Sequence, residues 1–211
     1  MRTLRNIIMA LAVLLPAAGA EARTAADFFT SAPSSVMPLL KPATRLDMLD
    51  YFNHGVDTRS KNSFDGPARV VLNDPSKLVI ELGQISTVQL GLLEQKGDTV
   101  VVVIETVRTP IADSSIRLYG KDWKPLASDG AVAMPVAADF IPKKDRRRAD
   151  AADLPALMFV RADFDPAART FTMYNNVAEY YTADERPAAL DLMRPSMQMR
   201  YDGKGALREV K

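Results

Sequence analysis

At 211 residues with 47% apolar and 25% charged content, the chain is long enough to bury one sizeable core and is neither fibrous nor disordered. It has no cysteine and a single histidine, which excludes disulfides, the lipid-modified cysteine of a bacterial lipoprotein, and a zinc or transition-metal site built on thiolate and imidazole. Lysine and arginine number 27 against 26 acids, a balance that gives no reason to expect nucleic acid or an anionic membrane surface as partner.

Met1 to Ala22 carries the parts of a secretory signal: Arg2 and Arg5, an apolar run from Ile7 to Leu15 broken by Pro16, then small residues up to Ala20-Glu21-Ala22. Cleavage is expected after Ala22, with Ala20 the alternative. The apolar run is shorter than the roughly 20 residues that cross a bilayer, so no membrane span is expected in the mature chain. Residues 23 to 211 then hold 25 basic and 25 acidic residues and are expected to be one domain. The expected location is the periplasm or the cell envelope, and a bacterial envelope suits a cysteine-free exported protein better than an animal secretory pathway.

Thr24-Ala25-Ala26-Asp27 has the spacing of a capping box, with Phe28 and Phe29 as buried candidates behind it. The segment Ser34 to Pro42 is cut by Pro38 and Pro42 and predicts a single turn or an extended connection. Thr44-Arg45-Leu46-Asp47 predicts a second helix start, with Leu46, Met48, Leu49 and Phe52 toward the core and Gly55 ending it. Val56 to Gly66 reads as a loop.

Strands come next at Ala68 to Leu72, Leu78 to Leu82 and Ser86 to Leu93. In the last, Val88, Leu90 and Leu92 alternate with Thr87, Gln89 and Gly91, which predicts one wet face. Thr99 to Val107 is different. Its β-branched residues occupy both parities, so both faces must be covered and the strand must be central. Ser114 to Tyr119 closes the meander. From residue 127 to 156 patterning fades into a proline-rich loop with the basic run Lys143 to Arg148 and a possible short helix at Ala149 to Asp153.

Leu157 to Phe164 and Thr170 to Tyr174 form a hairpin around Asp165-Pro166. Thr182 to Glu185 has the spacing of a third capping box, opening a helix to Arg194 that carries Leu190 and Met193 inward. A final hairpin runs from Met197 to Val210 through Asp202-Gly203. The fold expected is α+β: a curved antiparallel sheet of about seven to nine strands with the N-terminal helices and the C-terminal helix against one face.

Chemistry is sparse. His54 falls in the last turn of a predicted helix, where it meets free carbonyls, and is expected to cap rather than catalyse. Acidic pairs occur at Asp47 with Asp50, Asp150 with Asp153, and Asp163 with Asp165, none with the oxygen spacing of a calcium loop. No Gly-x-Ser-x-Gly elbow, Ser-x-x-Lys pattern or glycine-rich phosphate loop is present. No catalytic residue, metal or cofactor is therefore expected. The aromatics outside the regular apolar faces, Tyr119 with Trp123 and Tyr180 with Tyr181, are the candidates for ligand or partner contact.

The opening Thr24 to Phe29, the helix Arg45 to Tyr51, the strand Ser114 to Tyr119 before Asp122-Trp123, and the closing Arg200-Tyr201-Asp202-Gly203-Lys204 resemble an exported bacterial family catalogued as domain of unknown function 3256. The resemblance covers nearly the whole mature chain and implies a Gram-negative envelope protein of the gut-anaerobe type. It implies no activity and no active site. Three roles are expected: a non-enzymatic module binding a hydrophobic ligand or an envelope partner, a carboxylate-dependent hydrolase of envelope glycans using Asp163 or Asp165, or a structural component of an envelope assembly.

Overall fold

A computed structural model describes residues 22–95, 97–126, 130–149 and 153–210. The expected signal segment, except Ala22, and most of the expected helix at Ala149 to Asp153 lie outside these residues. Two helices open the chain, α1 (Ala25–Ser31) and α2 (Pro42–Asn53). The capping box forms as its spacing requires: Asp27 N donates to Thr24 Oγ1 at 3.2 Å and Thr24 N donates to Asp27 Oδ2 at 2.7 Å. These bonds hold the Asp27 carboxyl below the usual carboxylate range.

α2 begins earlier than its threonine suggests. Pro42 is already inside the first turn, a position that needs no N–H, and Thr44 is helical rather than a cap. Its buried face is also rotated from the expected one. Arg45, Met48 and Leu49 are buried, while Leu46 is 58% exposed and Phe52 38% exposed. Met48 and Leu49 face the core as expected, but Arg45 takes the place expected for Leu46 and Phe52, so apolar spacing marks only part of the inner face of α2.

Among the described residues ten strands form two antiparallel sheets. The first is the meander β1 (Ser60–Lys61), β2 (Pro67–Asp74), β3 (Lys77–Glu81), β4 (Ser86–Gln95), β5 (Asp98–Arg108) and β6 (Ala112–Gly120), in that spatial order. The second pairs β7 (Val160–Asp165), β8 (Thr170–Asn175), β9 (Ser196–Tyr201) and β10 (Leu207–Glu209), again in sequence order. The expected single sheet is thus two. Alternation tells which residues share a face and not which sheet a strand joins.

The result is three layers with β5 in the middle one. Val101 and Val103 join the core under α1 and α2, together with Phe28, Phe29, Met48, Leu78, Ile80 and Leu90. Val100, Val102 and Ile104 join a second core against Val160, Phe164, Phe171 and Met173 of the other sheet. A short helix, α3 (Ala137–Phe140), inserts Phe140 into that second core.

The C-terminal helix is the clearest departure. Thr182 Oγ1 donates to Glu185 Oε2 at 3.0 Å, yet the chain only turns there. Pro187 disfavours helical backbone at Arg186, and the chain continues as a short 3-10 segment, Ala188–Leu192, that buries Ala189 and Leu190. Met193 packs on the second core, so this segment does not join the N-terminal helices.

Candidate functional site

The wet face expected of β4 is divided between two environments. At Gly91 it is covered: a Cβ there would fall 2.8 Å from Phe164 Cε1 and closer still to Cδ1, so the Phe164 ring lies directly on the bare backbone. Toward Thr87 the second sheet stops at its edge strand, β7. Its outward N–H groups are capped from the first sheet, Val160 N by Asp113 Oδ1 (2.9 Å), Ala162 N by Ser114 Oγ (3.0 Å) and Phe164 N by Gln89 Oε1 (3.3 Å). Beyond this seam the first sheet lies bare.

Register places a polar row across that bare floor. Arg69, Glu81, Thr87, Thr106 and Ser114 are successive cross-strand partners from β2 to β6. The floor and its walls enclose a cleft of about 460 Å³, within the roughly 300–1,000 Å³ common for small-molecule sites. Four arginines line it, Arg59, Arg69, Arg108 and Arg161, with Glu81 as the one carboxylate among the lining residues.

Arg69 Nε donates to Glu81 Oε2 at 2.7 Å. This bond holds the Glu81 carboxyl below its usual range and raises Arg69, so Glu81 stays anionic. Arg161 stacks on the Tyr174 ring at 3.9 Å from its centroid. Arg59 and Arg108 have no carboxylate within ion-pair distance among the described residues. The planar forks of arginine match carboxylate and phosphate oxygens, and no acid of the cleft uses three of the four.

A smaller, apolar groove of about 260 Å³ lies on the opposite face, where Met37, Leu40, Leu82, Val88 and Val107 meet. Glu105 at its side is tied to Arg117 at 3.4 Å. Between α2 and β2 a further concavity of about 250 Å³ is lined by Met48, Tyr51, Phe52, Val56 and Val70.

The four aromatic candidates fall in two places. Tyr119 is buried, and Trp123 packs edge-on against it (centroids 5.5 Å apart) and against Phe28 (6.1 Å), closing the end of the first core. Tyr180 and Tyr181 form a second group with Phe159 at the surface (centroids 5.1 and 5.6 Å apart). Neither group lines the arginine cleft or the apolar groove.

The acids have local partners. Asp163 Oδ1 accepts from Lys77 Nζ at 3.0 Å, and Asp165 Oδ1 accepts from Ala168 N in the β7–β8 turn. His54 Nδ1 sits 2.9 Å from Asp50 O at the end of α2. No cluster of three or more potential metal ligands occurs among the described residues. The arginine cleft was not anticipated, although Glu81, Thr87, Gln89 and Thr106 are the polar interruptions of strand patterns. Only the pairing register brings them together.

Fold and site together define a helix-flanked, two-sheet α+β protein with a cationic cleft at the seam between its sheets. The chain belongs to the protein family of unknown function DUF3256, whose profile matches residues 17–204. A solved structure of a domain of an uncharacterized protein from Porphyromonas gingivalis W83 has the same fold: 23% identity, TM-score 0.70, covering 90% of this chain and 99% of that one. No curated protein matches the chain significantly.

Proposed function

We propose that this is a non-catalytic binding module of a bacterial cell envelope, exported by its N-terminal segment, that holds an anionic ligand in the cleft between its sheets. The observation that supports this most is the charge of the cleft. A chain whose exported part is formally neutral lines a single concavity with four arginines and one glutamate. Low-dielectric walls focus such a field and attract anions.

The hydrolase reading has less support, because glycoside hydrolysis needs two carboxyl groups in one cleft and Glu81 is alone there, bound to Arg69. A hydrophobic ligand retains the groove at Met37 and Leu40 and the concavity between α2 and β2, each little more than half the size of the cleft. Strand addition to an envelope assembly finds β10 only three residues long and β7 capped, and has its best candidate edge at β2, which the two-residue β1 pairs only at Pro67 and Ala68.

Titration calorimetry at low ionic strength with galacturonate, and with neutral galactose as control, tests the proposal. Galacturonate is expected to bind, more weakly as salt rises, and galactose not to bind. The double variant Arg108→Ala, Arg161→Ala is expected to weaken binding by about tenfold or more. Equal binding of the neutral sugar, or no binding of galacturonate or inorganic phosphate, would overturn it.

A further inference from the structure

The four arginines are not spread evenly around the cleft. Arg69 is on β2 and Arg59 immediately precedes β1, which pairs with β2. Arg108 ends β5, and Arg161 is on β7, whose N–H groups bond to β6. From β2 to β5 is three strand spacings, or about 14 Å between backbones. Two cationic ends therefore face each other across a polar middle.

Of the strands between them, β3 carries the Glu81 carboxylate, paired to Arg69, and β4 carries uncharged donors. Gln89 Oε1 is taken by Phe164 N, which leaves its amide NH2 free to donate. Thr106 and Ser114 hydroxyls share a hydrogen bond of 2.7 Å in which either can donate; with the buried Ser114, which also accepts from Ala162 N, as donor, Thr106 keeps its proton for the cleft. The Thr87 hydroxyl stands beside them in the same cross-strand row. A small single anion reaches one end only and leaves the other cationic end and the donors of the floor unused.

Resting on the reading of the cleft as an anion site, we infer that its ligand is an elongated, hydroxylated anion with a negative group at each end, of the kind a short acidic oligosaccharide presents. One anionic group lies at the Arg59 and Arg69 end and another at the Arg108 and Arg161 end, with hydroxyls over Thr87, Gln89 and Thr106. Glu81 tempers the first end by occupying Arg69. Two-ended binding makes the second contact intramolecular, which raises affinity without any new kind of bond.

The test compares three probes by calorimetry at low ionic strength: galacturonate, linear trigalacturonate, and its full methyl ester. Trigalacturonate is expected to bind at least about tenfold more tightly than the monomer, and the ester to lose that binding. Arg59→Ala and Arg108→Ala, both exposed residues at opposite ends, are each expected to bring the trimer close to the monomer's affinity. Glu81→Gln keeps an acceptor for Arg69 but removes the negative charge beside it, and is expected to tighten the trimer severalfold, a direction that damage to the fold would not give. A trimer no tighter than a monomer that still binds would overturn the two-ended account and leave the anion site standing. Tight binding of the methyl ester would overturn it as well. Failure of galacturonate, trigalacturonate and inorganic phosphate alike would remove both.

Discussion

Arg45 joins the two N-terminal helices. It is 1% exposed, and its Nη1 donates to Phe29 O (2.7 Å), which also accepts from Ala32 N, and to Ala32 O (2.6 Å), both carbonyls at the end of α1. Burial lowers its affinity for its proton, and no carboxylate pairs with it among the described residues. The partial negative charge of the helix end is what favours the cation there. Replacing it by methionine keeps the volume but orphans Ala32 O and leaves Phe29 O only the 3.4 Å bond from Ala32 N. Arg45→Met is expected to lose about 2–4 kcal/mol of stability in urea unfolding, with Arg45→Lys recovering part. An unchanged midpoint would show that the carbonyls find other donors.

Trp123 is the reverse case, a residue whose backbone is strained for the sake of its side chain. Its φ of 63° is left-handed, and for a bulky residue that costs on the order of 1–2 kcal/mol. The indole is placed by this turn between Phe28 and Tyr119, and its Nε1 is buried without a partner among the described residues. Contact area offsets both costs. From sequence Trp123 looked available to a ligand because its neighbours are polar. The turn that folds it inward depends on Gly120, whose N donates to Lys124 O at 2.9 Å, and nothing in a linear pattern announces the positive φ.

At the scale of elements, β5 is the part most legible in advance. Its two parities of valine required cover on both sides, and the helices and the second sheet supply it. The strands themselves lay within a few residues of where alternation put them. Which layer each strand joined was not legible, because that depends on a close approach between Gly91 and Phe164, 73 residues apart in sequence. Gly91→Ala has ordinary strand backbone but no room, and it is expected to cost about 1–3 kcal/mol by displacing Phe164 from Phe171, with which it packs at 4.7 Å between centroids. Thermal unfolding of the variant checks it; a gain in stability, the usual result of removing a strand glycine, would show that the sheets are not in contact there.

For the whole molecule, the arrangement of charge carries more information than its total. A balance of 25 against 25 in residues 23 to 211 gave no reason to expect nucleic acid or an anionic membrane surface as partner, yet while several ion pairs are local and exposed, the arginines of the cleft are gathered from β2, β5, β7 and the approach to β1. Such a site arises from register and from the edge at which the second sheet ends. Neither is encoded in any one segment. This is why the fold class was legible and the candidate site was not.

The central claim is that anions bind at the seam between the sheets. The most direct measurement is a 15N–1H correlation spectrum of the purified protein titrated with galacturonate at low ionic strength. The account predicts shifts concentrated at the amides of Glu81, Thr87, Gln89, Thr106, Arg108 and Arg161. Shifts centred on Met37 and Leu40, or spread evenly over exposed lysines and arginines, would contradict it.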